Sequence, residues 1–405
     1  MRFTSELRQQ ASYYGGIGRE ASLLVLANAV LSLNWGISGV IPGVYLPQVG
    51  LGGEQIGSLY TVSGLTSAVL GVPFAILSDR YGRRKGLLAG TALVGVSILF
   101  YAFTADYGLL LLSSLLSGVG YGLFFSNSNA LLAERTSEGK RTVAFSDSFF
   151  AGTAGGALGS LLAMLPTVLR VHFGFAVASS YQAVYGVAGI IVLLGVVPVF
   201  FVKESRWSGQ GFALPRRSVS VIVRYSAFNI LIGLGAGLII PIFSYWFYLK
   251  FGYTEAVTGP LNIMATVATA LAGLAAPRLA SSMGEIRSAM FTMGLATLMI
   301  LVMPSVYSLP LLSALFVARQ FLMNMSSPVM TSFYMGAVHP DERASASAVS
   351  GTSWNLPNAI TPGIGGGLMQ NVNVDLPLYM CGASYSAGVL LVYLFFGDYD
   401  KKRRG

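Results

Sequence analysis

Long apolar runs without a single charge set the terms for this chain. Leu23 to Tyr45 and Tyr181 to Val202 each exceed the roughly 20 apolar residues that a helix needs to cross the hydrocarbon core of a bilayer. Only 10% of the 405 residues are charged, against about 25% in an ordinary soluble domain. So few charges cannot cover a water-facing surface of this size, and most of the chain has lipid as its solvent. The pattern disfavours an outer-membrane barrel, whose strands are short and alternating. These runs are continuous and rich in Gly and Ala, the residues that let membrane helices approach closely.

The runs predict an all-α membrane protein with twelve transmembrane helices. The spans fall near 21–46, 54–77, 87–104, 108–133, 142–168, 181–202, 219–249, 257–280, 288–305, 309–336, 344–369 and 376–396. With the amino terminus in the cytoplasm, all but three of the 25 Lys and Arg lie in inner segments. Outer segments keep Arg170 and Lys250, and Arg319 lies inside a span. That asymmetry predicts both termini in the cytoplasm, and the plasma membrane is the expected location. It also accounts for the net charge of +9 without nucleic acid as a partner. Met1 to Glu20 has no apolar h-region, so the first span is expected to stay as an uncleaved anchor. One cysteine, Cys381, rules out an intrachain disulfide. With only His172 and His339 beside it, no metal site and no cofactor are expected.

The sequence repeats itself at an offset of about 202 residues. Gly50, Gly57, Leu59, Gly71, Leu77 and Gly82 correspond to Gly252, Gly259, Leu261, Gly273, Leu279 and Gly284, and Arg141 to Arg343. Each repeat holds six spans, an even number, so both insert with the same orientation. A pseudo-twofold along the membrane normal and a cavity between the halves follow. The expected organisation is an N-terminal bundle over 1–203, a polar linker over 204–217 and a C-terminal bundle over 218–405.

Between spans two and three stands Ala75-Ile-Leu-Ser-Asp79-Arg80-Tyr-Gly82-Arg83-Arg84-Lys85. This resembles the loop motif of the major facilitator superfamily, G-x-L-A-D-R-x-G-R-K-x-x-L. Leu77, Asp79, Arg80, Gly82, Arg83, Arg84 and Leu88 match it, and Ala75 replaces the first glycine. The second copy, Pro277 to Arg287, keeps Leu279, Gly284 and Arg287 without the acid. Pro340-Asp-Glu-Arg343 followed by Pro362-Gly-Ile-Gly365-Gly366 is also similar to the region between the tenth and eleventh helices of that family. Read physically, Gly82 permits a tight turn. Asp79 can face the positive end of a neighbouring helix, expected to be span eleven, and Arg83 can pair with Glu134. With Arg80, Arg84, Arg141 and Arg343, these residues form a candidate cytoplasmic gate. Basic residues after a span are expected anyway, but that does not explain Asp79 followed by Gly82.

Charges inside the spans are the other signal. Arg319 sits roughly 18 Å down span ten from Tyr307. A mid-membrane arginine faces a cavity or a partner. It is a candidate anchor for an anionic substrate; the structural alternative is an arginine bonded to carbonyls near Pro328 or to an asparagine. Asp147 lies roughly 9 Å into span five, either as a proton carrier or in an inner salt bridge with Arg83, Arg84 or Arg141. The resemblance implies that the first, fourth, seventh and tenth helices line the cavity. It thereby points to Asn34 and Ser38, Ser117 and Tyr121, Asn229, Tyr245 and Trp246, and Gln320 and Asn324 beside Arg319, with Trp354 and Asn358 from span eleven. The drug-antiporter branch carries a G-P pair where Gly156 stands, an arginine absent from Ser114 to Gly120, and an acid absent from span one.

These features predict a secondary transporter that moves a small organic solute by alternating access, as a monomer in the bilayer, with protons as the candidate coupling ion. Efflux of an amphipathic or anionic compound ranks above nutrient uptake. No G-x-x-x-x-G-K-[ST] loop is present to use ATP. A membrane enzyme would need convergent His, Cys or carboxylates, and a sensor would need a soluble domain; neither is visible.

Overall fold

The computed structural model describes residues 16–204, 217–397 and 399. The expected linker, all but its end residues Glu204 and Arg217, lies outside them. Eight spans are single helices: Gly53–Tyr81, Arg83–Phe103, Tyr107–Glu134, Glu255–Met283, Glu285–Val302, Leu309–Ala337, Arg343–Asn371 and Leu376–Phe396. Four are broken. Span one is Arg19–Ser38 and Pro42–Gln48, span five Arg141–Leu162 and Leu165–Phe173, span six Val177–Leu194 and Val196–Phe200, and span seven Val219–Ile239 and Phe243–Phe251. Proline explains three of the breaks. Pro42 and Pro166 open the second pieces of spans one and five, and Pro241 lies in the turn that interrupts span seven. Proline has no N–H to give the preceding turn but suits a helix start.

Nine of the described spans are long and apolar enough to cross a membrane on composition alone. The remaining three, Gly53–Tyr81, Leu309–Ala337 and Arg343–Asn371, have 29 residues each, or roughly 43 Å at 1.5 Å per residue. Length is therefore not what they lack. They carry the acids, amides and hydroxyls that a lipid-facing helix avoids but a helix beside a cavity or a second bundle tolerates.

Within each half, the same close contacts recur. Gly155 and Gly159 of span five lie against the carbonyls of Ala29 and Leu33 of span one. Gly233 and Gly237 of span seven lie against those of Trp354 and Asn358 of span eleven. A Cβ at any of the four would stand closer than 3.0 Å to that backbone. Asn28 Nδ2 donates to the Ser148 carbonyl at 2.9 Å, and its counterpart Asn229 donates to Ser350 Oγ at 2.8 Å. Arg141 Nε donates to the carbonyl of Ala133 at 3.2 Å, and Arg343 Nε to that of Met335 at 2.9 Å. Gly82 and Gly284, the matched turn glycines, have φ of 122° and 100°, a region where a side chain is strained. The sequence repeat is thus a repeat of packing.

The loops carrying Arg80, Arg84, Arg141 and Arg343 define a basic face; the opposite one is called the far face below. The halves meet on its side. Spans two and eleven touch backbone to backbone at Gly53 with Gly366 and Gly57 with Pro362, and Gly64 lies beside Ala359. Asn262 of span eight donates to Ser160 of span five at 3.0 Å and to the carbonyl of Gly36 at 3.5 Å. Gly43 of span one abuts Tyr245 of span seven. Toward the basic face the helices diverge, and Ile76, Leu77, Tyr81 and Phe149 are left exposed. The result is a crevice closed at the far face and open at the basic one.

Replacing Gly159 with Leu should destabilise the N-terminal half by about 1–3 kcal/mol through overpacking. Gly273→Ala, where an added Cβ meets nothing within 4 Å, should be neutral. Thermal melts of detergent-purified variants read the difference.

Candidate functional site

The crevice has an aromatic wall at its closed end. Trp35 of span one is 59% exposed. Its ring meets Tyr121 edge-on at 6.0 Å and Phe125 at 6.5 Å, and those two stack on each other at 5.8 Å along span four. Leu31, one turn earlier on the same side of span one, is packed into its own bundle, and beyond it the indole is left uncovered except where it meets the two rings of span four. Its neighbour Gly36 already belongs to the closed seam, which sets Trp35 at the crevice floor. Polar groups edge this wall. Asn34 Nδ2 donates to Tyr121 Oη at 2.8 Å, Ser38 Oγ lies 3.4 Å from Asn34 Oδ1, and Tyr60 Oη donates to the Ser38 carbonyl at 2.7 Å. Ser117 is half-buried one turn before Tyr121. Asn34, Ser38 and Tyr121, expected from sequence, do come together. Trp35 was missed: a tryptophan next to an asparagine reads as an interface anchor until the facing helix is known.

The C-terminal residues distribute differently. Trp354 is 39% exposed, and Asn358 is half-buried one turn on. Gln320 and Asn324 are half-buried, with Asn324 Nδ2 donating to the Gln320 carbonyl at 2.8 Å. Asn229 is held by Ser350. Tyr245 lies in the far seam, and Trp246, fully buried, donates its Nε1 to Asp375 Oδ1 at 2.9 Å. Beyond the break at Pro241, Tyr245 thus packs in the seam and Trp246 inside its own half, while Asn229 precedes the break and is held against span eleven.

Arg319 is 2% exposed and turned into its own bundle. It donates to Tyr385 Oη of span twelve at 3.0 Å and to Gln320 Oε1, while its Nε has no partner. Among the described residues no carboxylate reaches it, and neither the Pro328 carbonyls nor an asparagine serves it. A cation is thus buried at mid-span on two neutral oxygens.

The motif at the basic face is assembled within the N-terminal half. Arg83 Nε binds Asp79 Oδ1 at 2.6 Å, and its Nη1 binds Glu134 Oε1. The expected pairing with Glu134 is present. Asp79 faces Arg83 of its own half rather than span eleven. Gly82 packs against the carboxylate of Glu204, which also accepts the Arg84 N–H at 2.9 Å and so caps the start of span three. Arg84 stacks over Phe200 at 4.9 Å, and Arg80 lies exposed near Tyr81. Asp147 is exposed, in a cleft between the starts of spans one and five with Ser22, Val25 and Phe150. None of the three arginines considered for it is bonded to it.

At the far face both outer cations are neutralised: Lys250 binds Asp375 Oδ2 at 2.5 Å, and Arg170 binds Glu255. Those acids lay at span ends, where sequence gave no reason to single them out.

Two covalently linked six-helix bundles around a crevice open on one side define a solute carrier of the membrane. The sequence model of the Major Facilitator Superfamily matches residues 24–228 and again 225–405, and the chain belongs to that family. It is 22% identical over 387 residues to the quinolone resistance protein NorA of Staphylococcus aureus, covering 92% of this chain and 96% of that one. It is 29% identical over 171 residues to the 3-(3-hydroxy-phenyl)propionate transporter of Escherichia coli, a match to 42% of this chain and 38% of the relative. The structure of the nucleoside transporter NupG superposes with a TM-score of 0.74 at 12% identity, over 94% of this chain and 99% of that one. An inward-facing, unoccupied bacterial homolog of the lysosomal transporter Spinster gives 0.67 at 15% identity, over 94% and 96%. The relatives are transporters rather than enzymes, and this chain is a secondary active transporter that carries a small molecule through the bilayer.

Because Arg83 is 10% exposed while both its acids are 29% exposed, Arg83→Gln removes the bridge between two partly wet carboxylates. A loss of about 1–3 kcal/mol is expected, below the value for a fully buried pair. An unchanged melting temperature of the purified protein would show that the cluster does not support this conformation.

Proposed function

We propose that the protein exports a small amphipathic compound bearing an aromatic ring, and that this compound rests on Trp35, Tyr121 and Phe125 with its polar edge toward Asn34 and Ser38. The observation that carries this reading is the uncovered indole of Trp35 at the floor of the crevice. Apolar walls with a few convergent polar groups are the usual build of a ligand pocket. Ser117, Gln320, Asn324, Trp354 and Asn358 would complete the lining. The basic face is assigned to the cytoplasm, with both termini there, because basic loops stay inside. The crevice then opens inward, where an exporter collects its load. The likeness to a quinolone resistance protein along nearly the full length supports export. We assign the plasma membrane as its location, a monomer as the working unit, bundles over 1–203 and 218–405 as its domains, and protons as the coupling ion. Asp79, Arg80, Gly82, Arg83, Arg84, Glu134, Arg141 and Arg343 form the cytoplasmic gate that closes when the halves rock.

Trp35→Ala should weaken binding of an aromatic solute about tenfold and leave the melting temperature unchanged; Trp35→Phe should keep most of the affinity. Flux of a fluorescent aromatic compound in proteoliposomes, with calorimetric titration, checks both. Equal affinities for wild type and Trp35→Ala would remove the platform. Asp147→Asn should leave the pH profile of flux unchanged, since its cleft lies at the start of span one and Trp35 near that helix's other end; a flattened profile would make Asp147 the proton carrier.

The anionic alternative rests on Arg319. A buried cation without a counter-charge is costly, and replacing such a charge with an apolar isostere is often neutral or stabilising. Arg319→Met is expected to fold with an unchanged or higher melting temperature. Retained flux would make the arginine structural; abolished flux in a stable protein would favour an anion as the cargo.

A further inference from the structure

Glu255 opens span eight and has no exposure at all. Both carboxylate oxygens are occupied, and every partner belongs to the other half. Oε1 accepts from Thr167 Oγ1 at 2.6 Å and from the Arg170 guanidinium; Oε2 accepts from Tyr181 Oη at 2.6 Å. Arg170 is fixed in turn by Ser180 Oγ at 3.2 Å and Thr167 Oγ1 at 3.2 Å, and it lies 5.2 Å from the centre of the Tyr181 ring. Tyr181 packs against Tyr45 of span one at 4.8 Å, and Gln48 reaches its hydroxyl at 3.5 Å. The carboxylate therefore enters a socket built wholly by spans one, five and six.

The other ion pairs described above sit inside one half. Lys250 with Asp375, and Arg83 with Asp79 and Glu134, keep their partners however the halves move. Arg170 and Glu255 do not: separation at the far face pulls them apart and admits water to both. A charge pair excluded from water is strong while paired, and leaving one member buried alone is heavily penalised. Once the seam opens, hydration replaces the partner. The pair thus has two stable settings, dry and joined or wet and apart, and few costs between them beyond the opening itself.

We propose that Arg170 and Glu255, clamped by Thr167 and Tyr181, are the latch of the far-face gate and set the balance between the two states of the transport cycle. The inference rests on the alternating-access reading above. Ser244, 3% exposed and pressed against Gly43 across the seam, supplies the reporter position, since Cys381 is fully buried. Ser244→Cys protein in proteoliposomes is treated with a membrane-impermeant maleimide from the far side. Arg170→Gln should raise the labelling rate at least tenfold, with Glu255→Gln and Thr167→Val following in that direction. The double variant Arg170→Gln/Glu255→Gln should rise less than Arg170→Gln, because no lone carboxylate is left buried. Gly366→Leu, whose side chain meets the Gly53 backbone, forces the seam apart without touching the latch. Fast labelling in Gly366→Leu with parental rates in the latch variants overturns the latch. Parental rates in all of them overturn the rocking motion itself, and the latch with it. If Arg170→Gln does not fold, Glu255→Gln and Thr167→Val give the same reading.

Discussion

Helix backbones that touch without side chains between them are the contact on which this molecule depends. In lipid there is little hydrophobic gain in joining two helices, so association relies on close fit and on the few polar bonds that fit allows. Glycine supplies that fit twice over. Gly155 and Gly159 weld spans one and five, and Gly233 and Gly237 weld spans seven and eleven, making each half rigid. Gly53 against Gly366 and Gly57 against Pro362 then join the halves, but over the far side only. Rigid bundles meeting along a partial seam can tilt about it without rebuilding their interiors, which is the mechanical requirement for exposing one crevice to two compartments in turn.

Polar groups follow the same logic. Asn28 with Ser148 and Asn229 with Ser350 serve identical purposes in the two halves and add to their rigidity. The charged clusters lie at the two ends, where water can take over a broken bond. The mid-membrane level is left to aromatic rings, to amides bonded to hydroxyls, and to Arg319. An environment of that kind holds a solute by shape and by a few hydrogen bonds, and lets it go when the walls part.

Much of this was legible in the sequence. The spans were legible because most of them are apolar along a whole stretch, a property that needs no knowledge of its neighbours. The duplication was legible because both copies must make the same turns, so Gly82 and Gly284 recur with the same unusual backbone. The Arg83–Glu134 pair followed from charge placement at adjacent span ends. What sequence could not supply was the rotation of each helix about its axis. Trp246 and Asn229 sit on spans that line the crevice, yet their side chains point into a seam or a neighbour. Trp35 looked like one more aromatic until spans one and four came together. Glu255 stood outside the expected span by two residues, and its partners come from a bundle some 75 to 90 positions earlier.

The rocking of two rigid halves is the claim everything else requires. Paired spin labels test it most directly: Lys85 with Ser281 across the basic face, and Val171 with Tyr307 across the far face. On adding a transported solute to protein in nanodiscs, the account predicts a shorter distance across the basic face together with a longer one across the far face. Distances that lengthen or shorten together, or that move at one face alone, would contradict it.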